Sequence, residues 1–419
     1  MRCRGWVVPV DLVDREVVEL DDRAVPEVRT GIVDRLLKKL SRVTSTGSYI
    51  PEIDGLRFFA IMPVIIFHLN GYIQKHSASI AASVHSNLLN DLIGVGNFGV
   101  QLFFAISGFI LSMPFAMRHL FPGKNRPISL KAYYLRRVTR LEPPYIINLL
   151  VMFCLQVYVL HNYAASYLLP HLAASLFYVH NIIYRTASLI NVPAWSLEVE
   201  VQFYILAPLI AQVFRIRKRW LRMLVFVMLP PCVAMLAKIV GITVWKMNIC
   251  GSLAYFIVGF VLADLFLLNW NGEKVRRGRW DAVGMVAWAS MPVLLLTHPK
   301  WSVAVLPLSV FFAYWGMFRG SILNRVARQR WLVVIGGMCY SIYLYHCFFI
   351  GMFGRVTLKF AGLTPGYPAA IALQTVLMVP IVLAACAIMF VYFEKPFMYK
   401  DWPGRLAGFI TRAGKRRTF

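Results

Sequence analysis

Apolar stretches about 20 residues long recur between positions 58 and 391, and this is the helix length that crosses the hydrocarbon core of a bilayer. Short segments rich in Lys and Arg separate them. The pattern predicts an all-α fold, a polytopic transmembrane bundle of about ten spanning helices plus one re-entrant or surface segment. The predicted spans are 57–75, 97–116, 144–161, 199–215, 221–243, 250–270, 281–298, 301–318, 332–353 and 368–392.

The segment that we leave out of the span count is 166–184, although it is apolar. Counting it as a span would place the basic cluster 215–222 outside and reverse every later loop. Leaving it out keeps all basic clusters on one side, as the positive-inside rule requires. The segment also contains Pro170, His171 and His180, which suit a re-entrant or surface element better than a lipid-facing helix. This topology predicts that both termini are cytoplasmic.

Composition supports the membrane interpretation. Hydrophobic residues make up 59% of the chain and charged residues 15%, with a mean hydropathy of +0.62. The net charge of +25 would suit a nucleic-acid-binding protein, but the basic residues cluster between apolar runs. That placement is typical of cytoplasmic loops beside anionic lipid. We therefore expect the protein to lie in the lipid bilayer of the cytoplasmic (inner) membrane and not to bind nucleic acid. The clusters are 35–42, 118–140, 215–222, 274–279, 319–330 and 405–417.

Three regions are predicted. Residues 1–49 form a polar cytoplasmic leader, 50–400 the membrane domain, and 401–419 a basic cytoplasmic tail. Within the leader one stretch is amphipathic, which favours an interfacial helix, with a disordered leader as the alternative. Its apolar face carries Ile32, Val33, Leu36, Leu37, Leu40 and Val43.

The seven cysteines include no CxxC pair and lie mostly within apolar runs. This spacing indicates small core residues rather than a disulfide framework or a zinc site. We therefore expect no metal site.

Arg57 and His68 stand on one face of the first predicted span. Eleven positions correspond to three helical turns plus about 20°, and to a separation of roughly 16 Å along the axis. Arg57 would lie at the cytoplasmic interface and His68 near the midplane, where ionisable groups usually mark function. His68 could act as a general base, covalent acyl carrier, proton relay or metal ligand. A histidine satisfied by a neighbouring carbonyl is the structural alternative.

Arg137 and Arg140 lie in the inner loop YYLRRVTRLEPPY. At i and i+3 they project from one helix face and can clamp phosphates, such as those of coenzyme A. The alternative is an ordinary basic loop that binds lipid headgroups.

Two carboxylates stand in the apolar stretch PAWSLEVEVQFYI. Glu198 and Glu200 are two positions apart, so they point to different sides of a helix. One could orient His68 or polarise an acceptor hydroxyl, while the other meets an arginine. Trp195 at the entrance of this helix can serve a substrate or simply anchor the interface.

The stretch MCYSIYLYHCFF carries Tyr343 and His346 on one side of a predicted helix. His346 reaches about 20 Å from the inner start of its helix, close to the depth of His68. Both histidines are therefore predicted to flank one cavity. Tyrosines that pack between helices are the structural alternative for Tyr343.

Six stretches, taken in order, resemble the acyltransferase-3 family of integral membrane O-acyltransferases over about residues 50–400. Any one of the motifs is weak, but six in order are specific. They are IDGLRFFAIMPVIIFH, GVQLFFAISGFILS, YYLRRVTRLEPPY, PAWSLEVEVQFYILAP, CYSIYLYHCFF and FVYFEKPF.

The resemblance implies an enzyme that moves an acyl group, often acetyl, from cytoplasmic acyl-CoA to a hydroxyl, commonly on a glycan such as exopolysaccharide or lipopolysaccharide. Acyl-CoA is then a donor substrate and not a permanently bound cofactor. By position, Arg57 and His68 carry over as the essential pair, and Arg137 and Arg140, with Arg57, as donor contacts. Further residues carry over as a catalytic carboxylate, Glu198, and as substrate contacts, Trp195, Glu200, Tyr343 and His346.

The sequence departs from the family pattern after Trp195, because Val201 follows Glu200 where adjacent acidic residues are usual. Which glutamate acts therefore stays open. Some members carry a further soluble domain that completes transfer outside; here we expect such a step to need an oligomer or a glycan-assembly partner, or not to occur. The competing hypothesis is a glycan or lipid transporter or flippase that relays protons through buried His, Arg and Glu. It predicts an internal repeat, and the two halves of the chain show none.

Overall fold

The computed structural model describes residues 31–43, 49–84, 87–123, 128–242, 247–269, 277–297, 299–363, 366–399, 402 and 404. Regular structure in these ranges is entirely helical. The α-helices are α1 (Ile32–Leu40), α2 (Pro51–His76), α3 (Ala78–Ala82), α4 (Leu88–Gly94), α5 (Gly99–Leu120), α6 (Leu130–Cys154), α7 (Ala165–Leu176), α8 (His180–Tyr184), α9 (Trp195–Ile210), α10 (Arg219–Ile239), α11 (Ile249–Asn269), α12 (Arg279–Thr297), α13 (Pro299–Arg319), α14 (Ile322–Ala327), α15 (Arg330–Gly337), α16 (Cys339–Thr357) and α17 (Gly366–Met389). Short 3₁₀ segments cover Val95–Phe98, Val192–Ala194, Ala211–Arg215, Leu358–Leu363 and Lys395–Met398, and π-helical turns cover Leu155–Val159 and Phe390–Glu394.

The predicted polytopic helical bundle is confirmed, and the chain is an integral membrane protein. Nine of the ten predicted spans each fall on one continuous helical segment, and the span 332–353 falls on two helices, α15 and α16. Within the described ranges, eight helical segments are long and apolar enough to cross a membrane, and α15 with α16 forms a ninth if the bent pair counts as one span. The remaining predicted span, 301–318, falls on α13, whose apolar part is the shorter stretch Ala304–Arg319. The eight segments are Pro51–His76, Leu88–Leu120, Leu130–Val159, Val192–Arg215, Arg219–Ile239, Ile249–Asn269, Arg279–Thr297 and Gly366–Met398.

The predicted span 332–353 is not straight, because α15 and α16 meet at 73°. Near the end of α15, Gly336 lies so close to α2 that a Cβ there would be 1.8 Å from the backbone oxygen of Asp54. The new N-terminus of α16 is capped by Glu394, which accepts the backbone N–H of Ser341 at 2.9 Å and its hydroxyl at 2.5 Å. The carboxylate thus satisfies an amide that a helix start leaves without an intrahelical partner.

Helix α2 lies between two hydrophobic cores. Leu56 and Ala60 pack in the first core with residues of α5 and α11, while Ile61 and Ile65 pack in the second with residues of α16 and α17. His68 follows Ile61 by seven positions and Ile65 by three, so it shares their face. The packing of α2 therefore turns His68 towards α16.

Close helix approach at glycine joins α5 to α11. A Cβ on Gly108 would lie 2.1 Å from the carbonyl oxygen of Phe256, and one on Gly259 would lie 2.2 Å from the backbone nitrogen of Phe109. The two backbones touch at this crossing, which only residues without a side chain allow.

The two segments predicted not to span form short helices. Segment 166–184 folds as α7 and α8, both too short to cross a bilayer. The amphipathic stretch forms α1, in which Leu37 is buried in the second core while Ile32 and Leu36 are exposed. Residues 1–30 of the predicted leader and nearly all of the predicted tail 401–419 lie outside the described residues.

Candidate active site

The Arg57 end of α2 is built around a buried carboxylate. Asp54 is 1% exposed and accepts hydrogen bonds from the guanidinium groups of Arg57 and, at 2.8 Å, Arg42. The Tyr49 hydroxyl donates to its other oxygen at 3.1 Å. Burial, reinforced by the Asp54 carboxylate, raises the pKa of the Tyr49 phenol, so this donor keeps its proton. Asp54 thus orients Arg57 through one nitrogen of a guanidinium that carries five N–H donors.

Arg140 joins this positively charged end. Its half-buried guanidinium lies within electrostatic range of Arg57 and Arg42, and of Glu394. Three guanidinium groups therefore face two carboxylates, Asp54 and Glu394. Like charges brought together in a partly buried place favour the binding of an anion, because an anion offsets their repulsion.

Arg137 and Arg57 share a neighbouring carboxylate, Glu200. The guanidinium of Arg137 stacks over the Tyr133 ring, 4.8 Å from its centroid. Electrostatic attraction from Glu200 reaches both Arg137 and Arg57. Glu200 itself accepts hydrogen bonds from Ser107 on α5 and, at 2.7 Å, from the Tyr204 hydroxyl. The structure therefore brings the three predicted donor arginines to one region, with Glu200 as the counter-charge of Arg57 and Arg137 and Glu394 as that of Arg140.

Further along α2, His68 meets His346 of α16. Their ring centroids are 5.1 Å apart, and the Phe67 ring stands edge-on to His68 at 5.0 Å. His346 is fully buried, and its Nδ1 lies 2.9 and 3.0 Å from the carbonyl oxygens of Ile342 and Tyr343. Because carbonyl oxygens only accept, Nδ1 carries the proton and Nε2 presents a lone pair. The pair thus offers nitrogen atoms that can take up a proton or attack a carbonyl.

Glu198 projects from a different side of α9 than Glu200. It is completely buried, and the backbone N–H of Asn181 on α8 donates to its Oε2 at 2.8 Å. Its Oε1 has no hydrogen-bond partner among the described residues. A buried acceptor without a donor is costly, so Oε1 is a position where a hydroxyl donor would be bound favourably.

Trp195 and Tyr343 belong to the packed wall beside Glu198. The Trp195 ring meets Phe104 edge-on at 6.4 Å, and its carbonyl accepts a hydrogen bond from the side-chain amide of Asn181 at 2.8 Å. Tyr343 donates to the carbonyl of Pro193, so the Ser196 hydroxyl donates to the Tyr343 oxygen, at 2.9 Å. Tyr343 therefore ties α16 to the start of α9 and sets the position of His346 one turn later.

Three residues of this region were not among the predicted ones: Arg42, Glu394 and Cys347. Arg42 falls in the predicted leader, where no pattern pointed to the membrane domain. Glu394 stands in FVYFEKPF, so this motif was a signal for it. The Sγ atom of Cys347 lies 3.4 Å from Nε2 of His346. Helical periodicity gave no signal for this contact, because successive residues are 100° apart on a helix.

A model of the family described as acyltransferase domain matches residues 50–392. The chain belongs to the acyltransferase-3 family. The family membership confirms the resemblance drawn from the six motifs, and the acyltransferase domain covers every predicted site residue.

Two curated relatives are O-acetyltransferases by name. Over 176 residues the chain is 30% identical to peptidoglycan O-acetyltransferase OatA of Listeria monocytogenes, covering 40% of this chain and 25% of the relative. Over 340 residues it is 24% identical to O-acetyltransferase OatA of Staphylococcus aureus, covering 74% of this chain and 52% of the relative. The acyltransferase-3 chain thus matches at most about half the length of these two relatives. No solved structure matches it.

Proposed function

We propose that this acyltransferase-3 protein is a membrane-embedded O-acetyltransferase that moves acetyl from cytoplasmic acetyl-CoA to a hydroxyl of a cell-surface glycan. The observation that carries the proposal is the arrangement along α2. An arginine-rich end around Arg57 lies about three helical turns from His68, which meets His346. The names of the relatives support acetyl as the group that is moved.

The donor binds at the Arg57 end. Coenzyme A carries several phosphates, and guanidinium groups recognise phosphates through charge-assisted, often bidentate hydrogen bonds. Arg137 and Arg140 hold the phosphates in this proposal, while Arg57, oriented by Asp54, lies nearer the thioester. The same region faces the cytoplasm, in accord with the positive-inside rule.

His68 carries the transfer, and two routes use the same geometry. In the first, a ring nitrogen takes the proton of the acceptor hydroxyl, and the hydroxyl oxygen attacks the thioester carbonyl. The C–S bond breaks and the thiolate of coenzyme A takes up the proton. In the second, the nitrogen itself attacks the thioester carbonyl, the C–S bond breaks, and the thiolate of coenzyme A takes up the ring N–H proton. The acyl-imidazole then passes its acyl group to the hydroxyl oxygen, and the hydroxyl proton returns to the imidazole. In both routes, His346 contacts the substrate beside the reacting group.

The acceptor approaches from the Glu198 side. Glu198 Oε1 accepts a hydrogen bond from a second hydroxyl of the same sugar and so positions the reacting hydroxyl for attack, which is the role of a positioning carboxylate. Trp195 and Tyr343 line this approach, and Glu200 serves the donor arginines. The acceptor is a polysaccharide of the cell surface, such as exopolysaccharide or lipopolysaccharide, and the name of the Listeria relative adds peptidoglycan to the glycans to be tested.

The predicted topology also gives the location of the protein and of its regions. We place the protein in the cytoplasmic membrane with both termini in the cytoplasm, a leader at 1–49, the acyltransferase domain at 50–400 and a basic tail at 401–419. A copy of the chain or a glycan-assembly protein is the partner to look for.

The test uses purified protein in proteoliposomes with radiolabelled acetyl-CoA and each glycan in turn. The proposal predicts release of the coenzyme A thiol together with alkali-labile label on the glycan. Movement of glycan across the bilayer without acetyl-CoA, and without label on the glycan, would instead support a transporter.

A further inference from the structure

A cluster of three ligand atoms lies at the His68–His346 contact. One nitrogen from each of His68 and His346 and the Sγ of Cys347 all lie within 4.8 Å of one another. Around a tetrahedral zinc ion, with Zn–N near 2.0 Å and Zn–S near 2.3 Å, ligand atoms are about 3.3–3.6 Å apart. The distance of 3.4 Å between Cys347 Sγ and His346 Nε2 already has this value. The cluster therefore needs an inward shift of at most about 1.5 Å to close around one ion.

A second observation points to the same ligand. Histidines that bind metal nearly always donate their other ring N–H to a carbonyl or carboxylate, which fixes the tautomer and aims the lone pair. His346 does this with Nδ1, which faces the carbonyl oxygens of Ile342 and Tyr343 at 2.9 and 3.0 Å. Its Nε2 lone pair is aimed at Cys347, whose thiol would lose its proton on binding metal.

The donor set selects the type of cation. Two imidazoles and one thiolate suit zinc and similar borderline or soft divalent ions, whereas magnesium and calcium require oxygen ligands. Three protein ligands also leave one coordination position of a tetrahedral ion open.

We propose that His68, His346 and Cys347 bind one zinc-like divalent cation and that the bound cation stops acyl transfer. The second part rests on the proposed function, because a metal-bound His68 has no lone pair to act as base or acyl carrier. Cys347 has no part in the transfer itself, so the site can be removed without removing the reaction. The absence of metal-ligand spacing in the sequence does not exclude such a site, since helix packing assembles it.

The binding test uses Co²⁺ as the probe on the purified full-length protein in detergent after treatment with chelator. One equivalent of Co²⁺ should give the thiolate-to-cobalt charge-transfer band in the near ultraviolet, and Zn²⁺ should displace it. Cys347→Ser should lose the band, while Cys232→Ser, which changes an exposed cysteine, should keep it. A wild-type protein without the band, or a band that survives Cys347→Ser, overturns the site.

The activity test adds Zn²⁺ to the acetylation assay. Chelator-treated wild type should transfer acetyl and lose at least tenfold in rate when the site is filled. Cys347→Ser should keep the basal rate and need at least tenfold more Zn²⁺ for the same inhibition. Equal inhibition of both proteins, or activation by Zn²⁺, contradicts the proposal. If chelator-treated wild type transfers no acetyl to any glycan, the proposed function fails, while the cobalt experiment still decides the metal site.

Discussion

The imidazole rings of His68 on α2 and His346 on α16 lie 5.1 Å apart between centroids, although most of the chain separates them in sequence. Two features produce the contact. The face of α2 that carries His68 packs in the second core, and the 73° bend before α16 sets the direction in which that helix runs past α2. A histidine that would be costly alone in a membrane is thereby placed beside a second histidine with a fixed tautomer.

Arg137→Ala should raise KM for acetyl-CoA by about tenfold with little change in kcat, because the side chain holds the donor equally in the ground and transition states. Arg136→Ala is the matched control, since Arg136 is the exposed neighbour in the same loop. Steady-state acetylation with varied acetyl-CoA measures both. A similar rise in KM for the two variants would mean that the loop acts only through its overall charge.

Glu198→Gln and Glu200→Gln should have different effects, because the two carboxylates have different partners. We expect Glu198→Gln to lower kcat/KM for the glycan by about tenfold or more, since an amide is a weaker acceptor for a buried hydroxyl. Glu200→Gln should instead lower KM for acetyl-CoA, because Arg57 and Arg137 lose a competing negative charge and attract the phosphates of the donor more strongly. The same kinetic effect from both substitutions would contradict this division.

Gly259→Ala should destabilise the bundle, since its new Cβ would lie 2.2 Å from the backbone nitrogen of Phe109. Overpacking of this kind costs about 1–3 kcal/mol. Gly71→Ala is the control, because no heavy atom lies within 4 Å of a Cβ placed there. Thermal unfolding in detergent should show a lower midpoint for Gly259→Ala alone. Unchanged midpoints for both variants would show that α5 and α11 do not touch at this crossing.

Acid should weaken the α7–α8 segment that supports Glu198. Burial, and then neighbouring His171, lower the pKa of His180, and its Nε2 lies 2.9 Å from Nδ1 of His171. The unfolded chain therefore binds a proton below about pH 6.5 that folded His180 resists, so stability falls as the pH falls through that range. His180→Gln should show a smaller decrease in unfolding midpoint between about pH 7.5 and 5.5 than wild type, whereas exposed His76→Gln should behave as wild type. Equal decreases in all three proteins would place the acid sensitivity elsewhere.

Sequence pattern predicted the helices well because the bilayer imposes their length. Every predicted span, and the non-spanning segment 166–184, corresponds to helices of the structure. The bend before α16 could not be predicted, since it depends on the approach of Gly336 to Asp54 and on the cap from Glu394. These are contacts between distant parts of the chain, and local periodicity carries no information about them.

The sequence likewise predicted some features of the candidate site and not others. Helical phase and depth placed Arg57 and His68 on one face and brought His346 to a similar level. Periodicity could not show that Asp54 holds Arg42 as well as Arg57, or that Cys347 turns towards Nε2 of His346. Side-chain direction within a packed core decides those contacts, and it is set by neighbours rather than by spacing.

The proposed role of His68 in acyl transfer is tested by comparing two histidines of α2. His68→Ala and His76→Ala, both on α2, are purified, shown to have the same unfolding midpoint as wild type, and assayed with radiolabelled acetyl-CoA and glycan. We expect His76→Ala to keep the wild-type rate and His68→Ala to lose at least about a hundredfold in rate, the usual contribution of a general base. A folded His68→Ala protein that acetylates the glycan at the wild-type rate would show that His68 does not carry the transfer.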